Sequence, residues 1–472
     1  MAARNLGNVL VLGLGKTGFA VCDYLVSLGT SRVSSITVYG GAASTATKKT
    51  AELEAQGIRV VVGTDTVEGS YDLAISSPGI SEFCDFFCSA KAHCAQIIGE
   101  PEFAFRESPA HWIGITGTNG KTTTTMLTCT LLQQAGMAAQ AVGNIGTLSI
   151  SKVSARQTDE WFVAELSSFQ LAGTSTMHPR VAVLLNITPD HLAWHTTFKN
   201  YRDAKERIFA NLGTGDLAIA SADDNLASIV QCLAARKIRT CIVDVTADPQ
   251  TPNAAFVHNN MLVVRLDGTE YKLISVDELS IKGEHNIQNA LASAATALEL
   301  GVSATCVAQT LASFSPLEHR IEPVGQLNGV TFVNDSKATN TDAVIKALTA
   351  FAPKRIVLMV GGHDKGTDLE DFCQAVLASC KAVVCFGEAG KRFQSELAAA
   401  AAATAAQSCT QLEIVRAQHL ADALDCACEL AVPKDTVLLS PACSSFDEFS
   451  GYEERGRVFK QLVAAKMQER SV

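Results

Sequence analysis

The 472-residue chain has no excess of basic charge: 38 Lys and Arg stand against 48 Asp and Glu, for a formal net charge of −10. Following a nucleic-acid backbone requires clustered Lys and Arg to neutralise phosphates, so the composition argues against that class. A small anionic ligand in a local pocket is still allowed. No window approaches the roughly 18 uninterrupted apolar residues of a membrane span. The opening MAARNLGNVLVLGLG ends its short apolar run in glycines and has no recognisable export signal. The fifteen cysteines lack metal-type pairing and are odd in number, so a reducing cytoplasm is the expected compartment.

Hydrophobic residues make up 47% of the chain. That is enough for about three domains of roughly 150 residues each to bury their own cores. Short β-branched runs alternate with amphipathic helical stretches, the pattern of parallel α/β sheets. The runs fall in three groups: NVLVLGLG (8–15), SSITVYGG (34–41) and DLAISSPG (72–79); HWIGITG (111–117), WFVAEL (161–166) and RVAVLLNIT (180–188); and GVTFVNDS (329–336), RIVLMVGG (355–362), AVVCFGE (382–388) and TVLLSPA (436–442). SFSPLEHRIEPVG (313–325) has two prolines and no periodicity, so it reads as a linker. ELAAAAAATAAQ (396–407) reads as an exposed helix end and loop. The expected fold is α/β in three domains: a Rossmann-like domain at 1–97, a central P-loop-type ATPase domain with a mostly parallel sheet at 98–316, and a Rossmann-like domain at 317–472.

In open α/β sheets ligands gather beyond the carboxyl ends of the strands. Here polar residues follow the strands directly: Lys121, Glu165, Asp190 and His191, Asp335 and Lys337, Lys365, Ser444 and Ser445. Their spread over two domains predicts a cleft where those domains face each other.

The first strand enters Gly13-x-Gly15-x-x-Gly18, which raises an NAD-dependent dehydrogenase as a rival reading. That reading needs an acid at the end of the second strand to hold the ribose, and Val38-Tyr39-Gly40-Gly41 supplies none. A diphosphate on a helix N-terminus is what survives of it. The stretch WIGITGTNGKTTTTML (112–127) looks like a second phosphate cradle, yet the P-loop pattern wants glycine five places before Gly120, where Ile115 stands. Backbone N–H groups from Thr118 to Lys121 could curl around phosphates, with Lys121 as cation and the Thr122 hydroxyl on Mg²⁺. The alternative is an ordinary strand-to-helix turn. Lysine at a helix start, where the macrodipole disfavours a cation, argues against it.

Glu165 ends an otherwise apolar strand and, if buried, needs a partner such as a metal ion; a capping or salt-bridged glutamate reads equally well. His191 has the same ambiguity. In YRDAKERIFANL, Tyr201, Ala204, Lys205, Ile208 and Leu212 share one helical face, while Arg202, Asp203, Glu206 and Arg207 share the other. Lys205 is therefore on the apolar side. Its stem could snorkel out; otherwise it must pair, lose its proton or be chemically changed. Carbamylation by CO₂ would turn it into a carboxylate-like oxygen ligand for a second Mg²⁺ beside His191.

T-G-T-N-G-K-T, E-L-S-S-F-Q-L, the D-H pair and the Y-R-x-A-K helix together resemble the Mur ligase family of ATP-dependent amide-forming enzymes. NDSKATN (334–340), GGHDKGTD (361–368) and SPACSSFDEF (440–449) are similar to the branch of that family that adds D-glutamate. The resemblance covers all three expected domains. It implies a ligase that joins D-glutamate to UDP-N-acetylmuramoyl-L-alanine through an acyl phosphate during peptidoglycan precursor synthesis, acting as a cytoplasmic monomer without nucleic-acid or membrane partners. The UDP-substrate would meet Gly15, Lys16, Thr17 and Gly18 at its diphosphate, Ser77, Pro78 and Gly79 nearby, and Asn144 and Ser167 towards the sugar and peptide. ATP would lie on Thr118, Asn119, Gly120, Lys121, Thr122 and Thr123, with Asn286, Asn289, His319 and Arg320 around the nucleoside and Asp335 and Lys337 also on the ATP side. D-Glutamate would be held by Thr339, Lys365, Ser445 and Phe446, with Tyr452 covering it. Two Mg²⁺ ions would use Thr122 and Glu165, and His191 and carbamylated Lys205. Lys121, Glu165, His191 and Lys205 are thus the expected catalytic set, and domain closure on binding is expected.

Three positions depart from the family pattern. Ala193 stands where an acid often follows the D-H pair, Tyr39-Gly40-Gly41 lacks the acid often found on the uracil side, and Tyr452 replaces a usual phenylalanine. The alternatives are a ligase for another amino acid, such as a folylpolyglutamate or diamino-acid ligase, and a non-catalytic nucleotide-binding regulator. The first differs in the NDSKATN and SPAC regions, and the second would not need two metal sites.

Overall fold

The computed structural model describes residues 5–314, 318–351, 353–364, 366–404 and 412–469. They form two compact units, one of Met1–Leu279 with Gln288–Ser313, the other of Ser280–Ile287 with Phe314–Val472.

The first unit holds two sheets. In the first are β1 (Gly7–Leu12), β2 (Val33–Tyr39), β3 (Arg59–Val61), β4 (Leu73–Ser76) and β5 (Ile97–Gly99), all parallel, in the order β3-β2-β1-β4-β5. Alternation in β1 places Val9 and Val11 in one core and Leu10 and Leu12 in another, so the strand is buried on both faces. The expected boundary at 97/98 falls inside β5.

The second sheet contains β6 (Trp112–Thr116), β7 (Ala139–Gly143), β8 (Trp161–Glu165), β9 (Val181–Leu184), β10 (Leu217–Ser221), β11 (Arg239–Asp244), β12 (Ala254–His258), β13 (Met261–Leu266) and β14 (Thr269–Ser275). Its order is β14-β13-β12-β11-β10-β9-β6-β8-β7. It is parallel from β7 to β12 and closes with two antiparallel hairpins. Their turns, Asn259-Asn260 and Asp267-Gly268, all have positive φ, which two-residue hairpin loops demand. β6 lies between β9 and β8, so their carboxyl ends converge on the loop after Thr116.

The second unit has one sheet, ordered β15-β16-β20-β17-β18-β19: β15 (Glu322–Leu327), β16 (Val330–Asn334), β17 (Ile356–Gly361), β18 (Cys380–Phe386), β19 (Glu413–Arg416) and β20 (Thr436–Ala442). Ile356, Leu358 and Val360 face one core, Val357 and Met359 the other. The segment read as linker to residue 325 instead enters β15, which pairs antiparallel with β16 across an Asn328-Gly329 turn. β15 is an edge strand with a register shift between Pro323 and Gly325, which is where a strand tolerates proline. Helix Gly390–Thr404 takes up most of the alanine tract, and its last residues, 405–407, lie outside the described residues. Among the described residues no helix is long and apolar enough to cross a membrane, and fourteen cysteines are free.

Candidate active site

β6 explains the glycine missing at position 115. Ile115 is a fully buried strand residue in register with Glu165 and Val183, so it is not part of the loop. The loop is the short turn 117–120. Gly117 (φ 154) opens it, and Gly120 (φ 85) caps helix Lys121–Gln134 in the left-handed region, where a Cβ would fall 2.4 Å from Asn289 Oδ1. Asn186 clamps the turn: its carbonyl accepts from Thr118 N at 2.9 Å, its Oδ1 accepts from Asn119 N at 2.9 Å, and its Nδ2 donates to Asn119 O at 3.1 Å. Thr118 Oγ1 donates to Thr188 O and lies 2.8 Å from the Tyr201 hydroxyl. Thr124 Oγ1 bonds Asn289 Oδ1 at 3.2 Å and Thr125 is fully buried, so these two threonines face the interior rather than a phosphate.

Two lysines meet behind this loop. Lys121 Nζ donates to the carbonyls of Gly117 (2.9 Å) and Thr118 (2.8 Å), and Lys205 Nζ donates to the same Gly117 carbonyl at 2.8 Å. Lys205 is 2% exposed on helix Phe198–Glu206, beside buried Tyr201 and Ala204, which rules out snorkelling. Burial, and then the Lys121 charge, hold its ammonium well below the ordinary lysine value; Asp190 and Glu165 pull the other way. A neutral amine is favoured by this setting.

Glu165 ends β8 next to the loop. Its Oε1 accepts from Asn144 Nδ2 at 2.8 Å, its backbone carbonyl accepts from Asn144 N at 2.8 Å, and its Oε2 is buried without a partner. A residue expected at the UDP-substrate and one expected at a metal are therefore joined. A buried carboxylate oxygen without a donor is costly, and it suits a cation. Among the described residues no group of three or more His, Cys, Asp or Glu could hold a metal ion by itself. His191 has φ 54 and its side chain is 45% exposed; Nε2 lies 3.5 Å from Asp190 Oδ2 and the ring 4.7 Å from that of Phe169.

The first glycine loop is built for close approach. A Cβ on Gly18 would meet Gly13 O at 1.9 Å, whereas one on Gly15 would meet nothing within 4 Å, leaving that face open. Lys16 and Thr17 start helix Lys16–Leu28, Lys16 Nζ donates to Gly146 O, and Ser77 Oγ beside Gly13 is buried without a partner. Pro78 and Gly79 continue the turn after β4, which Ile80 N closes on Ser77 O at 3.1 Å. Ser167 has a structural task as well: it caps helix Ser168–Ala172 in a reciprocal capping box with Gln170.

The second unit gathers its own set. Asp335 follows β16; Oδ2 accepts from Ser440 Oγ at 2.7 Å, and burial pushes its carboxyl up to about 7. Lys337 Nζ lies 3.7 Å from the centroid of the Tyr452 ring, which meets His319 edge-on at 6.1 Å. Arg320 Nε is buried. Asn286 Nδ2 donates to Lys282 O, Thr339 N donates to Lys337 O, Ser445 is buried, and Phe446 is 70% exposed. Lys365 lies outside the described residues.

Residues 115–297 match the model of the Mur ligase middle domain, and residues 319–443 match the Mur ligase glutamate ligase domain. A UDP-N-acetylmuramoylalanine–D-glutamate ligase of Thermoanaerobacter sp. (strain X514) is 38% identical over 97% of this chain and 98% of its own length. The chain belongs to the Mur ligase family. A second D-glutamate ligase, from Acidobacterium capsulatum, is 39% identical over 97% of this chain and 96% of its own. In fold, the chain is similar to the UDP-N-acetylmuramate–alanine ligase of Thermotoga maritima (TM-score 0.56, 19% identity, 97% and 99% of the two chains covered). It is also similar to the MurF ligase of the same organism in complex with ADP (TM-score 0.59, 14% identity, 99% and 96% covered).

Within this Mur ligase chain, sequence reasoning missed two further groups. Arg455, wholly buried, donates to Ser336 Oγ and O (3.0 and 2.8 Å), Cys443 O (3.1 Å) and Ser444 O (3.3 Å), tying together the loops after β16 and β20. His195, also wholly buried, lies with Nε2 2.9 Å from Ser168 Oγ. The signal for Arg455 was present: it shares a helix face with Phe459 and Val463, four and eight residues on, both buried.

Proposed function

We propose that this chain is an ATP-dependent carboxylate–amine ligase that joins D-glutamate to UDP-N-acetylmuramoyl-L-alanine, with release of ADP and phosphate, in peptidoglycan precursor synthesis. The observation that carries the reading is the pair of lysines on the Gly117 carbonyl beside a buried carboxylate with one unpartnered oxygen. The full-length likeness to D-glutamate ligases selects the amino acid.

The L-alanyl carboxylate attacks the γ-phosphorus of ATP, ADP departs, and an acyl phosphate forms. The D-glutamate amine then attacks the acyl carbon, and phosphate leaves from the tetrahedral intermediate. Carboxylate and triphosphate are both anionic, and two like charges about 4 Å apart repel by roughly 4 kcal/mol at an effective dielectric of 20. Lys121, released from its own loop carbonyls, offsets part of this at the phosphates, and the turn's N–H groups orient them. Thr122 and Glu165 would hold one Mg²⁺, and His191 and carbamylated Lys205 a second. These ions supply charge neutralisation to the phosphates and the attacking carboxylate. Carbamylation starts from the neutral amine: the Lys205 nitrogen attacks CO₂, a C–N bond forms as one C=O bond of CO₂ opens to C–O⁻, one proton leaves to solvent, and the neutral amine becomes an anionic carbamate. The setting that depresses Lys205 supports that step. Gly15 to Gly18, Ser77 to Gly79, Asn144 and Ser167 are assigned to the UDP-substrate. Thr118 to Thr123, Asn286, Asn289, His319, Arg320, Asp335 and Lys337 are assigned to ATP, and Thr339, Lys365, Ser445, Phe446 and Tyr452 to D-glutamate.

The test is phosphate release from ATP in the presence of UDP-N-acetylmuramoyl-L-alanine, with one amino acid added at a time. Turnover with D-glutamate is expected. Turnover with L-lysine or meso-diaminopimelate instead would reassign the substrate, and none with any amino acid would favour a non-catalytic regulator.

A further inference from the structure

Glu100 opens helix Glu100–Glu107 immediately after β5, and it is 1% exposed. Its carboxylate is used elsewhere in the first unit: Oε1 accepts from the backbone N–H of Ile150 at 2.7 Å, and the nearby Ser149 backbone N–H also favours the ionised carboxylate. Oε2 and the neighbouring Ser149 Oγ are both buried without partners. A carboxyl group this deeply buried needs a compensating task.

The segment it grips runs from the end of β7 to helix Ile150–Val153. At its start, Gly143 (φ 94) turns so close to β8 that a Cβ would lie 2.3 Å from Glu165 O, and Asn144 bonds Glu165 through both backbone and side chain. Within it, Gly143 N donates to Thr147 O at 2.7 Å, and the Gly146 carbonyl receives the Lys16 ammonium. At its far end stands Glu100. The segment is thus tied at three places: to a carboxylate of the second sheet, to the first glycine loop, and to the helix that leaves the first sheet. Two of these anchors, Asn144 and Lys16, are assigned above to the UDP-substrate. Glu100 has no such assignment.

We infer that Glu100 is a positioning residue for the UDP-linked acceptor: by holding Ser149 and Ile150 it fixes where segment 143–150 places Asn144 and the carbonyl that aims Lys16. This rests on the reading of the site given above. Burial pushes the Glu100 carboxyl up to about 7, so a neutral amide oxygen is a close substitute as acceptor, and the acceptor atom, not the charge, is what the segment requires. Glu100→Gln therefore retains the function. Glu100→Asp, one methylene shorter, withdraws the oxygen from both N–H groups while keeping a carboxylate, and Glu100→Ala removes it.

The experiment measures KM for UDP-N-acetylmuramoyl-L-alanine, ATP and D-glutamate in the full-length variants, together with amide hydrogen exchange over residues 143–150. In Glu100→Asp and Glu100→Ala, KM for the UDP-substrate is expected to rise roughly tenfold, the loss of one to two hydrogen bonds of this kind. The KM values for ATP and D-glutamate should stay within about twofold, and Glu100→Gln should restore the UDP-substrate value to within about threefold. Exchange should accelerate at Ser149 and Ile150 in the Asp and Ala variants and stay slow in Gln. An unchanged KM in a folded Asp variant overturns the inference, as does an equal rise for all three substrates or a Gln variant as impaired as Asp. If Glu100→Ala does not fold, Asp against Gln decides alone. If the wild type turns over no D-glutamate, the functional reading fails, yet hydrogen exchange still shows whether Glu100 holds the segment.

Discussion

Two helices in this molecule carry a cation on the face that should be apolar, and the contrast between them is chemical. Lys205 in the first unit has one acceptor, a carbonyl it shares with Lys121. Arg455 in the second unit has four acceptors arranged around its planar fork. Burial lowers both. For Arg455 the result is about 10, so it keeps its charge at neutral pH, and its hydrogen bonds compensate for lost water. Lys205 is depressed well below its ordinary value by burial and by a second cation, and no carboxylate bonds it directly among the described residues. A buried cation fully supplied with acceptors is a clamp; one left short of them is poised to become something else.

The largest effect expected from this contrast is at Lys205. Lys205→Ala should lower D-glutamate-dependent turnover by about a thousandfold, the scale of losing one electrostatic stabiliser at a phosphoryl-transfer centre, with little loss of stability because an ill-supplied ammonium leaves. A short carboxylic acid or added bicarbonate should restore part of the rate in Lys205→Ala by returning an anionic oxygen to the vacated space. Full activity in Lys205→Ala, measured by phosphate release, would break the contrast at once.

Arg455 should behave in the opposite way. Arg455→Met removes one donor from each of three backbone carbonyls and from the Ser336 hydroxyl, of which the Ser444 carbonyl keeps the His363 N–H, and an expected loss of about 3–5 kcal/mol in unfolding free energy follows, read from a denaturant midpoint. Turnover should fall only as far as the loops bearing Asp335, Lys337 and Ser445 loosen. A stable but inactive Arg455→Met would place Arg455 in the chemistry and erase the distinction.

Both cations are legible in the sequence, but only one stands clear of its neighbours. Lys205 stands out because YRDAKERIFANL sorts cleanly into two faces, whereas in GYEERGRVFKQLV the same pattern of Arg455, Phe459 and Val463 is masked by the charged residues Glu453, Glu454, Arg457 and Lys460 around it. All ten apolar runs proposed as strands form strands, because parallel strands buried on both faces leave unbroken hydrophobic stretches. The strands that no such run marks are the short first-sheet strands β3 and β5, β7, β10 and β11 of the second sheet, edge strands β15 and β19 of the third, and β12–β14 of the hairpins. The hairpins are marked in the sequence by their turns, Asn259-Asn260, Asp267-Gly268 and Asn328-Gly329, all with positive φ, rather than by a strict alternation. At the site, the glycine absent at 115 is a discriminator whose physical meaning lies in the fold: the strand runs two residues further than the pattern assumes, to Thr116, and Gly117 does the turning. Glu100 and His195 are illegible in the sequence because nothing local distinguishes an acid in a first helical turn, or a histidine ending a four-residue helix, from an exposed one.

The smallest effect is also the most direct reading of the Lys205 charge. His195 is pushed down to about 4, first by burial and then by the charges of His191 and Lys205. Since its folded value lies below the ordinary 6.5, the unfolded chain binds the extra proton between those limits. Its contribution to stability is therefore whole above about pH 6.5 and lost as pH falls towards 4, by up to about 3 kcal/mol at about 1.4 kcal/mol per pH unit. The ring titration followed by NMR should shift upward in Lys205→Met, where one of the depressing charges is gone. It should also shift upward in wild type moved from CO₂-free to bicarbonate-equilibrated buffer, because carbamylation places an anion beside the ring. A midpoint indifferent to bicarbonate in wild type, while still responsive to Lys205→Met, would mean that Lys205 stays an amine, and its place beside Lys121 would then have to be explained by proton transfer or phosphate contact instead.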